Sequence, residues 1–302
     1  MENECNYVSS RGILKLCDIH SPNPISESST DKNYLINMIQ NSSIMKNNMT
    51  IYVCGNLISF FITSIFPKIK NTFILVSGDS DAIIPYEFMS KKLVDQLINS
   101  PYLIKWAVQN KVIEHKKLIS IPIGLDYHTI LKNPSHKWKL PNENNLPRAQ
   151  ETILQSVVNS SSPFWERIPK IYVNFTVDND RFHDRQQSLN TIPSQLLIMN
   201  QTFTPRTNNW KNIVNYSFVL SPFGNGLDCH RTWEILCLGS IPVVKAPMFK
   251  ELFEGLPVLN VDNWNQVTQD LLDQTIIEFK NKPFNYDKLT LQYWLNQIKL
   301  VT

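Results

Sequence analysis

Apolar residues along this chain alternate between two spacings. Short runs of β-branched and aromatic residues bounded by turn residues occur at 50–54, 73–76 and 118–122, which predicts strands. Between them, 57–65 and 88–98 carry apolar positions at helical spacing. Strands separated by helices imply parallel pairing through right-handed crossovers. Residues 45–130 therefore predict one Rossmann-like half.

A polar segment with two prolines, HKWKLPNENNLPR at 136–148, interrupts this rhythm and reads as a linker. Pro147 suits the first turn of a helix running to about 158. A second series then begins, with strands at 170–175, 216–220, 241–245 and 257–261 and a helix from the 228 region to about 238. Leu291, Trp294, Leu295 and Ile298 place an amphipathic helix within 289–300. The expectation is an α/β protein with two Rossmann-like domains facing each other across a cleft, residues 1–140 and 141–302.

Composition narrows the function. At 302 residues, 42% hydrophobic and 18% charged, the chain has enough apolar material for real cores and is not of the disordered class. A formal charge of +3 without any basic run argues against a nucleic-acid groove. The five cysteines form no C-x-x-C pair, so neither a zinc ribbon nor a disulfide scaffold is indicated. The N-terminal residues lack the apolar core of a secretory signal, and the longest apolar stretch, 57–66, is too short to span a bilayer. A cytoplasmic protein with no membrane span is expected; the sequence does not specify its oligomeric state.

The chemistry concentrates in 216–245. The chain has only eight glycines, and Gly224, Gly226 and Gly239 fall here. A strand runs into a Gly/Asn/Pro turn, then a helix with Asp228 as its expected N-cap and Gly239 just beyond its end. Such a turn lets backbone amides approach a ligand, and the helix N-terminus behind it suits a phosphate. His230, Arg231 and Glu234 lie at spacings that place them on one side of the helix. Arg231 and His230 would neutralise a diphosphate, and Glu234 would accept from ribose hydroxyls. An intrahelical Arg231–Glu234 ion pair with a capping Asp228 is the bland alternative.

The run SPFGNGLDCHRTWEILCLGSIPVV (221–244) closely resembles the C-terminal signature of exostosin-like glycosyltransferases, nearest to a subgroup that includes xylosyltransferase-like and giant-virus proteins. VSGDSDAIIP, ISIPIGLDYHT, KIYVNF and LPVLNVDNW are similar in the same order, so the resemblance covers roughly residues 50–300. It implies a GT-B fold, with the acceptor on the N-terminal side and a nucleotide-sugar donor on the C-terminal side. It further implies an inverting, metal-independent transfer to a hydroxyl of a glycan or glycoconjugate. Asn225, Gly226, Asp228, His230, Arg231 and Glu234 are the donor-site positions it carries over, and Ser221 and Gly224 join them from the same strand and turn. Anchored members carry an N-terminal membrane segment and a stem. Neither is visible here, so a soluble cytosolic or viral enzyme using a UDP-sugar, with no metal and no other cofactor, is the expectation.

Other candidates complete the site. Two D-x-D matches, Asp79-Ser80-Asp81 and Asp178-Asn179-Asp180, would each suit a metal-bound diphosphate. An inverting transfer needs a base, and Asp81, with Asp126 of GLDYHT behind it, follows a strand where open α/β sheets place ligands; a turn carboxylate capping the next helix is the alternative for each. Arg181, His183 and Arg185 follow the 170–175 strand, and Arg185 is the expected phosphate contact from the opposite wall. Retaining members of this fold often show two Glu eight positions apart. Pro242 stands eight beyond Glu234, which favours inversion. Cys229 reads as a small helix-start residue. Competing functions are a nucleotide-sugar-binding protein without turnover and a metal-dependent hydrolase of diphosphate esters.

Overall fold

In the computed structural model, residues 1–22, 32–40, 45–178, 180–200 and 202–300 are described; Asn179, in the middle of the second D-x-D match, lies outside them. Their strands form two sheets, both parallel throughout. The first has the order β1 (Met49–Cys54), β2 (Phe73–Gly78), β3 (Leu103–Val108), β4 (Leu118–Ser120). The second has the order β6-β5-β7-β8-β9, from β5 (Ile168–Val173), β6 (Leu197–Met199), β7 (Tyr216–Leu220), β8 (Ile241–Val244) and β9 (Leu259–Asn260). The α/β organisation and the two parallel sheets read from the sequence are both present.

Strands β1, β2, β7 and β8 are buried along nearly their whole length because helices and loops cover both faces. In the first sheet Ile51, Val53, Leu75 and Val108 face one core, while Tyr52, Ile74, Val76 and Ala107 face another. In the second sheet Ile171, Phe218 and Val243 look outward to a core of their own. Tyr172, Val219 and Val244 instead join the core that holds Tyr52 and Val76. One apolar core is thus common to both sheets.

The helices used below are α1 (Ser10–Leu16), α2 (Lys91–Ile98), α3 (Pro147–Asn159), α4 (Asp184–Thr191), α5 (Arg206–Ile213), α6 (His230–Cys237), α7 (Gln269–Lys280) and α8 (Leu291–Lys299). The terminal helix α8 returns to the first sheet: it packs on β2 and α1, and Leu291, Trp294 and Ile298 enter the shared core. The amphipathic stripe seen in the sequence therefore covers the far sheet.

The sequence reading has no counterpart for α1, α4, α5, α7 and β6, and two further differences have a physical cause. The stretch at 57–65 is a succession of tight and wide turns, Gly55–Leu57, Ile58–Phe60, Phe61–Ile65 and Phe66–Lys68. Its run of aromatic and β-branched residues crowds a regular helix, and Pro67 closes it. Strand β3 went unread because Lys105 interrupts its apolar run. That lysine reaches across to the Gln297 carbonyl of α8 at 3.0 Å.

Gly124, after β4, shows how closely the N-terminal segment is held. It adopts φ +66°, and a Cβ there would lie 2.2 Å from the Val8 carbonyl oxygen. Leu125 N–H donates to that same oxygen at 2.8 Å. Gly124→Ala combines the left-handed penalty with overpacking and should cost about 2–4 kcal/mol in urea unfolding. A change below ~0.5 kcal/mol would show that the segment yields freely.

Candidate functional site

The carboxyl edges of the two sheets face each other, and the candidate residues lie on the loops that leave those edges. Asp79 and Asp81 follow β2, Asn110 follows β3, and Asp126 and His128 follow β4. Asn174 and Phe175 follow β5, and Ser221 to Asp228 follow β7. Open parallel sheets leave ligand sites at this edge.

Asp228 joins the walls. It is buried, and its carboxylate accepts from the Ile123 N–H at 2.7 Å and from Trp233 Nε1 at 2.9 Å. Its own N–H donates to Asn110 Oδ1 at 2.9 Å. Burial pushes its carboxyl up to about 6, against the pull of those donors. Helix α6 begins one residue later than expected: Cys229 occupies the N-cap position without a side-chain cap, since the Asp228 carboxylate is engaged across the junction. Gly239 ends the helix with φ +70°, as read from the sequence. Burial raises the Cys229 thiol to about 12, which keeps it protonated and suits a packing role.

The two glycines of the turn serve approaches by the protein itself. A Cβ on Gly226 would sit 3.1 Å from Asp81 Oδ1 and 3.2 Å from Asn110 Nδ2; one on Gly224 would sit 3.1 Å from Arg185 Nη2. The missing side chains thus let the turn dock on the first half and let Arg185 close in from α4. Asn225 is exposed, and its carbonyl accepts from Arg181 at 3.2 Å. Arg181 also pairs with Glu87 of the first half at 3.0 Å. Ser221 is buried at the end of β7, with its hydroxyl 2.9 Å from that of Thr232.

Helix α6 sends its polar residues in different directions. His230 turns to the first half, where Nδ1 lies 2.7 Å from the Gly124 carbonyl oxygen. Arg231 turns to the second, donating to Asn174 Oδ1 and lying 5.4 Å above the Phe175 ring. Arg185 lies 5.7 Å from the same ring and donates to the Thr176 and Phe223 carbonyls. Among the described residues neither guanidinium has a carboxylate partner, and no Arg231–Glu234 ion pair forms. Burial, then the neighbouring Arg185, lower Arg231 to about 10. Glu234 is half-buried, and burial raises its carboxyl while Arg206 and Arg231 oppose the shift.

The opposite wall is acidic and imidazole-bearing. Asp81 is exposed beside the turn; desolvation raises its carboxyl, with His230 and Arg181 pulling it back. Asp126 is buried and accepts from the Thr129 N–H at 2.9 Å and from its hydroxyl at 2.7 Å. Burial alone would raise this carboxyl, but His128, His230 and Arg206 outweigh it and hold it well below the usual range. His128 is pushed down to about 3 by burial. Asp79, below them, is paired with Arg11 at 3.2 Å in the interior.

The structure thus brings together Asp81, Asp126, Gly224, Asn225, Gly226, Asp228, His230, Arg231, Glu234 and Arg185, with Ser221 beneath. Sequence reasoning missed Arg206, which donates to the Asp126 carbonyl and to Gln150. It also missed Phe175 and Asn174, although both stand in the KIYVNF strand it singled out. Asn110 gave no signal, since β3 was not recognised.

No protein-family model matches the chain, and no curated protein matches it. Among solved structures the chain is similar to a crystal structure of an α1,3-fucosyltransferase with GDP-fucose, at 14% identity and a TM-score of 0.38, covering 85% of this chain and 92% of that one. Among the described residues no helix is long and apolar enough to cross a membrane.

Asp228 gives a testable pH signature. Asp228→Asn turns an amide N–H₂ toward one of two buried donors, which should cost about 1–3 kcal/mol. The folded-state pKa lies above the ordinary 3.8, so the folded protein holds this proton more tightly than the unfolded chain. The wild type therefore loses stability as pH rises from about 4 to about 6, and the deficit of the Asn variant should shrink over that window. Urea unfolding at several pH values reads this; a deficit that grows with pH contradicts the buried-carboxyl account.

Proposed function

We propose that the chain is a glycosyltransferase of the GT-B type, taking a nucleotide-sugar on the second half and a hydroxyl acceptor on the first. The observation that supports this best is the pair of guanidiniums, Arg185 and Arg231, lying over the Phe175 ring without a carboxylate partner among the described residues. Two like charges at one edge of a parallel sheet are relieved by a diphosphate, to which arginine forks bind strongly. The amides at the start of α6 add positive potential from the same side. Glu234 would accept from the ribose hydroxyls, and a UDP-sugar is the expected donor.

The reaction is a direct displacement. The acceptor oxygen attacks the anomeric carbon as the bond to the diphosphate oxygen breaks, giving inversion, and the acceptor proton passes to a carboxylate. Asp81 suits that role better than Asp126. It is exposed beside the Gly226 turn, and its raised carboxyl is the stronger base. Asp126 is buried with both oxygens bound by Thr129 and is held ionised, so it positions rather than accepts. Arg185 and Arg231 stabilise the departing diphosphate without requiring a metal on the phosphates. Substrates enter by opening the contact between Gly226 and Asp81, and its closure excludes water.

A thermal-shift panel with UDP, GDP, CMP and UDP-sugars in EDTA tests the donor site, since stabilisation rises with ligand concentration by linkage. A UDP-selective shift is expected. Arg231→Ala should weaken that nucleotide by about 10–100-fold, as loss of a charged phosphate contact does. A folded variant with unchanged affinity overturns the assignment of Arg231, and no shift with any nucleotide overturns the transferase reading. Asp81→Asn should leave nucleotide binding intact while transfer to an acceptor falls by about 100-fold or more.

A further inference from the structure

We propose that Asp126, His128 and His230 form a binding site for a divalent transition metal of the zinc type, built from both halves of the chain. One oxygen of Asp126 and one nitrogen of each imidazole lie within 4.8 Å of one another. Two imidazoles and a carboxylate match the borderline ligand set of Zn²⁺, with a position left for water or substrate. Bonds of about 2.0–2.1 Å to a tetrahedral ion place ligand atoms roughly 3.3 Å apart, so small rotations of the two rings close the set.

The surroundings have the character of a ligand site. Metal-bound histidines as a rule give their other nitrogen to a carbonyl or carboxylate, which fixes the ring. His230 Nδ1 has such a partner in the Gly124 carbonyl at 2.7 Å, and Nε2 is left for the ion. The Asp126 carboxylate is oriented by the Thr129 amide and hydroxyl, again the outer support of a ligating group. His128 Nδ1 is buried without a hydrogen bond, 3.4 Å from Asp126 Oδ1. The two rings meet edge to face with centroids 5.8 Å apart. A buried imidazole nitrogen without a partner is costly, and a shared cation supplies one.

Charge around the site is mixed. Arg11, Arg206 and Lys132 oppose a cation, while Asp79, Glu2 and Glu234 favour it. Affinity thus rests on the three ligands. Because Asp126 and His128 follow β4 while His230 begins α6, the ion would also fasten the walls of the cleft. This inference does not depend on the nucleotide reading, since Arg185 and Arg231 lie on the other side of α6.

The full chain, stripped with chelator and kept free of nucleotide, is titrated with Co²⁺ and then with Zn²⁺. The expected result is visible d–d absorption of tetrahedral or five-coordinate Co²⁺ at one ion per chain, bleached by Zn²⁺, with thermal stability rising with Zn²⁺ concentration. His128→Ala, His230→Ala and Asp126→Asn should each weaken binding by about 100-fold or more, beyond the loss seen for supporting residues; Asp81→Asn should not. Absence of the Co²⁺ signal in wild type overturns the site, whether or not any variant folds. A signal that survives all the folded ligand variants overturns it too, because the ion then binds elsewhere. UDP binding measured in EDTA is a separate readout, so failure of one assignment leaves the other standing.

Discussion

One buried carboxylate, Asp228, determines how the two sheets meet. It takes the backbone N–H of Ile123 from the first half and the indole N–H of Trp233 from its own helix, and its amide is taken by Asn110. An unpaired donor at such a depth costs about 1–3 kcal/mol, so each of these groups is constrained by the others. The consequence is geometric. The Gly turn lies against Asp81 and Asn110, and α6 starts where the loops from the carboxyl edges of both sheets meet.

Around that clamp the contacts sort into two kinds. Inside lies a continuous apolar core that includes Trp233, Trp294 and residues of both sheets, and α8 binds the end of the chain to its beginning. Around it lie polar contacts: the partly exposed pair Arg181–Glu87, and Lys111, buried, between Glu114 and Glu251 at 2.8 and 2.9 Å. A partly exposed pair such as Arg181–Glu87 contributes little, whereas the core resists separation. The contact between the halves is therefore held mainly by the shared apolar core.

The fold was more legible in the sequence than the wiring of the site. Seven of the nine strands among the described residues, the linker helix from Pro147 and the left-handed Gly239 followed from spacing and local chemistry. The Gly turn and the helix bearing His230, Arg231 and Glu234 were found by the same means. What local pattern does not contain is the partner across the cleft. Asp228 looked like a cap because the next residues are helical; its real partner, Ile123, is more than a hundred positions away. Gly226 looked like space left for a ligand, and the space is taken by Asp81 and Asn110. Lys105 hid β3 because a lysine in a parallel strand needs a distant acceptor, here the end of α8.

The divergence of His230 and Arg231 follows from helix geometry. Consecutive residues of an α-helix point about 100° apart, so two neighbours at the start of α6 face opposite walls. His230 meets the Asp126 and His128 group of the first half; Arg231 meets Phe175 and Arg185 of the second. The first wall carries carboxylates and imidazoles around His230, and the second carries two guanidiniums over Phe175. Between them lies one short turn of backbone, held by Asp228 to Ile123 and by Asn110. The separation of charge across the cleft, and the close approach of its two sides, are therefore set by the same few residues.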